Sequence, residues 1–468
     1  MKSTSNAYIK GVANQWDDLR KGIVPDSLRE EFITKAYLTP EMEVGIIGVG
    51  DGSLGTALVN QVKLVHLVDA SEEMLSVAKK NLTAYTNILF HILEGGRIPL
   101  PDACLDAVFA NMLLHQNPDP QAAIQEMVRL LKPGGRLLIS GLDLRTYTAL
   151  QKEVADEWPE FDRDQVMVLF KAAGLVNSYI GCIGSNGYET SQTDASGTAG
   201  INPFIAIGSK RINRKADVQK SYGVIAESGC GCGCNPAQTS GGYQIVEQTC
   251  CAPLTSENNL YKIEELKVIP QEAGDISLGC GNPLAMASLK PGETVLDIGS
   301  GGGIDVFLAA NRVGLVGHVI GIDMTPAILK RSRTSAAKHG YHQVEFRQGD
   351  AENLPVDDNS VDVAISNCVI NLTEDKGKAF QEILRVLKPG GRLEISDVVA
   401  AQSLPLEVRQ NSNQWAACVS GALPEGEYLD LITYAGFEIL KTQRNHHYAN
   451  NSEETYSLVI SAIKPKIN

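Results

Sequence analysis

The chain has 468 residues, enough for two or three domains that each bury a core. Hydrophobic residues make up 43% and charged residues 21%, ordinary for a soluble globular protein. The balance of 41 Lys+Arg against 55 Asp+Glu, a net charge of −14, argues against nucleic acid or an anionic membrane as partner, because both need a cationic face.

No apolar run reaches membrane-spanning length, and the N-terminal MKSTSNAYIKGVANQWDDLRKG lacks the apolar core of a signal peptide. The expectation is a cytoplasmic protein. Residues 1–40 read as a helical lead-in, with Trp16, Leu19, Ile23 and Leu28 roughly on one face and Pro40 ending it. Val44–Ile47 then reads as a buried strand running into a glycine turn, Gly48-Val49-Gly50-Asp51-Gly52. Leu64–Asp69 reads as a second strand ending in a carboxylate, and Leu105–Ala110 as a later one. Leu131-Lys132-Pro133-Gly134-Gly135-Arg136-Leu137 introduces the next strand. Residues 185–200, polar and glycine-rich, read as a surface loop, and the charged Arg211–Lys220 as a linker that can run as a helix into Tyr222-Gly223.

The same order of features returns in the second half. Val295–Ile298 is a strand broken by Asp297, and Gly299, Gly301, Gly302 and Gly303 follow. Glycines let backbone approach a ligand where a Cβ would clash. The helix predicted from about Ile304 to Asn311 points its first N–H groups at whatever lies on that loop. Asp323, 24 positions beyond Gly299, closes a second parallel strand, where a carboxylate can accept both ribose hydroxyls. Leu387-Lys388-Pro389-Gly390-Gly391-Arg392-Leu393 repeats the earlier stretch 256 positions on. So long a period is a domain duplication, not a solenoid. The expected fold class is α/β: two tandem Rossmann-like domains, each a doubly wound, mostly parallel sheet. The expected boundaries are 1–212 for the first domain, 213–290 for a linker and cysteine-rich lead-in, and 291–468 for the second.

The glycines fall as G-x-G-x-G, with Ile304 where the dinucleotide pattern has its last glycine. That spacing resembles motif I of the class I S-adenosylmethionine methyltransferases. Gly349-Asp350-Ala351-Glu352 and Val361–Ile365 agree with it. The resemblance implies seven strands per sheet, the last antiparallel, with Phe204–Ile207 and Tyr456–Ile463 as candidates for those last strands. It implies S-adenosyl-L-methionine as cofactor on Asp297, Gly299, Gly301, Gly303, Asp323, Met324, Asp350, Ala351 and Asn367. Met324 would cover the adenine face, and Asp297 would orient the turn or the cofactor's amino group.

The two copies are not equivalent. Ile46 stands where the second has Asp297, Glu94-Gly95 where it has Asp350-Ala351, and Met112 where it has Cys368. The first copy keeps Gly48, Gly50, Gly52 and Asp69, so cofactor binding stays open, but the expectation is a degenerate copy.

Ten cysteines in a cytoplasmic chain argue for reactive or metal-binding thiols over structural disulfides. Cys104 and Cys182 read as buried small hydrophobes. Cys230, Cys232, Cys234, Cys250, Cys251 and Cys280 crowd the stretch before the second glycine turn. Cys230-Gly231-Cys232-Gly233-Cys234 is too tight for an ordinary zinc knuckle; it is either a soft-ion capture loop or a thiol-rich loop with no fixed role. No H-E-x-x-H is present, and His446-His447 reads as an exposed strand end.

Here the resemblance narrows. Residues 221–463 resemble the arsenite methyltransferases. The carrying pieces are Tyr222-Gly223, Cys250-Cys251, Leu278-Gly279-Cys280-Gly281-Asn282-Pro283, Ser366-Asn367-Cys368-Val369-Ile370-Asn371-Leu372, and Trp415-Ala416-Ala417-Cys418-Val419-Ser420-Gly421. The resemblance implies that Cys280, Cys368 and Cys418 ligate trivalent arsenic, which is soft and thiophilic. Its lone pair would attack the sulfonium methyl, with catalysis resting on positioning. Arsenite or its thiol conjugates would be the substrate. Cys250 or Cys251 would close a disulfide that thioredoxin or glutathione reopens. The competing expectations are a methyltransferase for another small molecule and a thiol-rich metalloid-binding protein.

Overall fold

The structure, a computed structural model, describes residues 26–114, 117–142, 162–182, 203–228, 261–274, 282–411, 415, 418–445 and 455–466. The chain divides into two compact units, Met1–Ile212 and Asn213–Asn468. The first holds strands β1 (Glu43–Ile47), β2 (Leu64–Asp69), β3 (Ile88–Ile92), β4 (Leu105–Asn111), β5 (Leu131–Leu142), β6 (Leu175–Cys182) and β7 (Pro203–Lys210). The second holds β8 (Thr294–Ile298), β9 (His318–Asp323), β10 (Val344–Gln348), β11 (Val361–Asn367), β12 (Leu387–Ala400), β13 (Glu438–Asn445) and β14 (Thr455–Ile463).

Each unit is one seven-stranded sheet, ordered β3-β2-β1-β4-β5-β7-β6 and β10-β9-β8-β11-β12-β14-β13. Among the described strands, β7 and β14 run antiparallel to the neighbours on both sides, and they contain the two stretches expected to form the last strands. Strand order reverses between β1 and β4 and between β8 and β11, and such switch points open a crevice at the carboxyl ends. The central strands are apolar runs because helices cover both faces. Val44, Ile46 and Ile47 in β1 are buried, as are Val295, Leu296 and Ile298 in β8.

The helix Ile304–Val313 runs two residues beyond its expected end. It is buried almost all round, because Tyr261, Ile269, Ala273 and Leu284 of the lead-in join its core cluster with the sheet residues Val295, Val363 and Ile365. Arg211–Lys220 is helical from Lys215, and the helix runs to Ser228. In the first lead-in, Leu28 lies buried on the helix Asp26–Thr34. Trp16, Leu19, Ile23, residues 185–200 and His446-His447 lie outside the described residues.

The units share a polar frame. Lys132 Nζ meets Asp106 at 2.8 Å, and Lys388 meets Asp362 at the same distance. Arg129 is clasped by Glu126 (2.7 Å) and Asp102 (2.5 Å), and Arg385 by Glu382 (2.8 Å) and Asp358 (2.5 Å). Asp119 and Asp375 accept from Ala122 N (3.0 Å) and Lys378 N (3.1 Å), capping the helices Pro120–Leu130 and Lys376–Val386. Among the described residues no helix is long and apolar enough to cross a membrane.

Candidate active site

The crevice of the second unit opens at the carboxyl ends of β8, β9 and β11 and is lined by the segments that follow them together with the helix Lys215–Ser228. Its floor is the turn after β8. Gly299 has φ 74°, and a Cβ there would fall 2.0 Å from the Val369 side chain. The turn therefore fits against the segment carrying Cys368 only because it has no side chain. Asp323, at the end of β9, accepts from Gly301 N (3.1 Å) through Oδ2 and from Thr325 N (2.8 Å) through Oδ1, so its carboxylate stays beside the turn.

Asp297, Gly299, Gly301, Asp323, Met324, Asp350, Ala351, Asn367 and Cys368 all line the crevice. Gly303 does not. A Cβ at Gly303 would meet the rings of Phe307 (2.9 Å) and Phe346 (3.1 Å), so this glycine packs the helix on the sheet. Motif spacing cannot separate a glycine that faces a ligand from one that faces a ring.

Residues not foreseen complete the wall. Tyr261 OH donates to Asp305 (2.9 Å to each oxygen) and accepts from Asn367 Nδ2 (3.1 Å). Lys215, Val218 and Tyr222, at i, i+3 and i+7 on the helix Lys215–Ser228, also face the crevice. Lys215 forms an ion pair with Asp350. The signal available was Asp305 itself, a lone acid in the apolar run Ile304–Ala310.

Electrostatically the crevice is a pocket of buried acids. Burial pushes the Asp297 carboxyl well up, and repulsion from Asp305 and Asp323 adds to it. Burial raises Asp305 to about 6, against the hydrogen bond from Tyr261. Burial also raises Asp323, against its backbone donors. A cation set among these carboxylates would restore their ionised forms.

Cys368 follows β11, is buried and has φ 60°. It is disulfide-bonded in this structure, so this sulfur is oxidised and must be reduced before it could ligate an ion. Cys418 is a free thiol, φ 62°, with Sγ 3.1 Å from the Cys368 carbonyl oxygen. Burial pushes its thiol pKa up, the Asp397 charge adds to that, and a hydrogen bond with Tyr222 opposes it. Cys104 is half-buried, less enclosed than its sequence setting suggests. Cys230, Cys232, Cys234, Cys250, Cys251, Cys280 and the Cys182 side chain lie outside the described residues. Among the described residues no group of three or more His, Cys, Asp or Glu could hold a metal ion.

Two family models match, each described as a methyltransferase domain: one over residues 289–450, the other over residues 46–139. The chain is similar to the arsenite methyltransferase of Halobacterium salinarum, 44% identical over 230 residues covering 48% of this chain and 57% of that one. It is also similar to the arsenite methyltransferase of Mus musculus, 34% identical over 216 residues covering 44% of this chain and 53% of that one. The chain thus spans about half the length of these curated relatives. A solved structure, CrArsM, an arsenic(III) S-adenosylmethionine methyltransferase from Chlamydomonas reinhardtii, is 33% identical over 44% of this chain and 73% of that chain, with a TM-score of 0.39. With one strand order in both units and a methyltransferase-domain match on each, the chain belongs to the class I S-adenosylmethionine-dependent methyltransferases and carries two such domains in tandem.

Proposed function

We propose that the second unit methylates trivalent arsenic held on Cys368, Cys418 and Cys280, with S-adenosylmethionine in the crevice. The observation that carries this is the seat of Cys368. It lines the crevice, its neighbour Val369 packs on the Gly299 turn, and its carbonyl receives the Cys418 thiol. A soft thiophilic ion on these sulfurs would therefore face the place where the cofactor's reacting end lies.

The crevice fits the cofactor. Asp323 would hold the ribose hydroxyls. Asp350 would meet the adenine, with Ala351 and Met324 along its faces. Asp297, and Asp305 through Tyr261 and Asn367, would meet the α-ammonium, whose charge offsets their crowding. The cofactor supplies an electrophilic methyl on a sulfonium. The chain's residues hold the arsenic lone pair in line with it and exclude water. In that transfer an As–C bond would form as the S–CH3 bond breaks, its electron pair staying on the departing sulfur. Two protein thiolates would then return the two electrons by closing a disulfide. Cys250 or Cys251 is the candidate partner, with thioredoxin or glutathione as the external reductant. The first unit is read as a degenerate copy.

The test is arsenite turnover by the reduced full chain with methyl-labelled S-adenosylmethionine. Label should appear in methylated arsenicals, and Cys368→Ser should remove it while cofactor binding persists. Undiminished activity in Cys368→Ser would refute the site. Indifference of the wild type to thiol alkylation would point to another acceptor.

A further inference from the structure

Next to Cys418 the second unit buries another polar cluster. Asp397 on β12, Asn371 on the turn after Cys368, Lys376 and Tyr428 are all buried. Asp397 Oδ2 accepts from Asn371 N (2.9 Å) and from Tyr428 OH (2.8 Å). Asn371 Nδ2 donates to the Cys418 carbonyl (3.1 Å) and to the Val398 carbonyl. Lys376 Nζ donates to the carbonyls of Asn371 (3.2 Å) and Thr373 (2.9 Å).

The Cys418 loop is moulded onto that same turn. Trp415 Nε1 reaches the Leu372 carbonyl at 3.3 Å, and a Cβ on Gly421 would fall 2.0 Å from the Asn371 carbonyl oxygen. Asn371 therefore ties together the turn that follows one cysteine, the loop that carries the other, and β12 beneath both.

The fold does not require this cluster. By the 256-position offset, Asp397 corresponds to Gly141 and Lys376 to Pro120 in the first unit. There a Cβ on Gly141 would meet the Phe204 ring at 2.6 Å, so an aromatic ring fills the space. The polar version is also the less satisfied one. Among the described residues, Asn371 Oδ1 and Asp397 Oδ1 are buried with no hydrogen-bond partner, a cost that an apolar filling avoids. The costlier version sits in the unit that carries the cysteine pair, while Met112 takes the place of Cys368 in the other.

We propose that Asn371, anchored by Asp397, is a positioning residue that sets the spacing of the Cys368 and Cys418 sulfurs. The inference rests on reading those two cysteines as ligands of trivalent arsenic. Asn371→Asp keeps the shape but replaces the donor with an oxygen facing two carbonyls.

The experiment uses the reduced full chain and two probes. Phenylarsine oxide, an aryl trivalent arsenical that bridges two thiols, reads sulfur spacing through the Cys368–Cys418 adduct mapped by mass spectrometry. Arsenite turnover reads function. Asn371→Asp should weaken the bridge and raise the KM for arsenite by about tenfold or more, as loss of a ligand-orienting partner does, with cofactor affinity unchanged. Wild-type bridging in the variant overturns the proposal, as does an equal fall in cofactor affinity, which marks a merely structural role. Failure of the wild type to bridge overturns it too. Bridging without arsenite turnover in the wild type leaves the spacing role standing and sinks the catalytic reading instead.

Discussion

The two units are one scaffold written twice, and their differences separate what builds the fold from what builds the site. The frame is duplicated almost bond for bond. Lys210 Nζ lies on the carbonyls of Val128 (2.9 Å) and Leu131 (2.7 Å), and Lys464 Nζ on those of Leu384 and Leu387 (both 2.8 Å). The turn acid is duplicated too: Asp69 accepts from Val49 N and Ser71 N, both at 2.9 Å. The buried groups with strong chemistry are not duplicated. Where the second unit has Asp297, Asp305, Cys368, Glu394 and Asp397, the first has Ile46, Leu54, Met112, Leu138 and Gly141. Each of those acids costs free energy to bury, and the first unit keeps the same sheet without them.

Replacing second-unit residues by their first-unit counterparts therefore dissects the site while holding the fold. The largest effect is expected from Cys368→Met. Methyl transfer to arsenite should fall by about a thousandfold or more, as when a reacting group is removed. Cofactor affinity, measured by equilibrium dialysis, should stay the same; if it drops in parallel, the residue serves the crevice rather than the chemistry. Asp297→Ile comes next. If Asp297 meets the α-ammonium as proposed, losing this buried carboxylate should weaken cofactor binding by about 10- to 100-fold, the scale of a hydrogen bond to a charged group. Asp69→Asn in the first unit should leave that affinity untouched, and a comparable loss there would mean that both units bind cofactor.

Much of this contrast is legible in the sequence. Buried parallel strands are apolar runs, and the glycine turn with its distant acid has a fixed spacing, so the duplication and Asp297, Asp323 and Asp350 can be read directly. The edge-side strands β6 and β13 cannot. Their sequences, LVNSYIGC and EILKTQRN, mix polar and apolar residues without strict alternation. Tyr261 and Lys215 reach the crevice from segments far off in sequence, through packing that no local period encodes. Gly303 misleads because one motif serves both ligand approach and ring packing. Asp397 carries a signal that is easily passed over: an acid in the apolar run Ile395–Ala400 is as conspicuous as Asp305 in its helix.

A smaller effect is expected at Glu394, where the first unit has Leu138. Burial raises this carboxyl to about 7, against the hydrogen bond from Ser461 (2.9 Å) and the Arg392 charge. A carboxyl raised in the folded state contributes full stability below its unfolded pKa and loses it as pH rises through the folded one. Each pH unit between those two pKa values is worth about 1.4 kcal/mol, and solvent screening reduces the sum. Between about pH 4.5 and 8 the wild type should therefore lose about 2 kcal/mol through this group. Glu394→Gln should lack that loss. Hydrogen exchange of β12 amides across this range reads it locally, and equal pH slopes in both proteins would show that Glu394 stays ionised when buried.

The smallest effect separates the halves where they look most alike. Lys132–Asp106 and Lys388–Asp362 have the same length, but the Asp106 side chain is 5% exposed and that of Asp362 is 29% exposed. Each acid also accepts a backbone amide at 2.9 Å, from Glu43 N and Thr294 N. Removing the lysine takes away the ion-pair partner that Asp106 touches in a dry setting and leaves the Glu43 amide as its hydrogen-bond donor among the described residues, whereas water can reach Asp362. Lys388→Met should therefore cost less than about 1 kcal/mol, as for exposed pairs, and Lys132→Met about 1–2 kcal/mol more, because an uncompensated buried charge is the expensive outcome. Urea titrations followed by hydrogen exchange in β4 and β11 compare the two directly. Equal costs would mean that the shared geometry, rather than its burial, sets the worth of this bond.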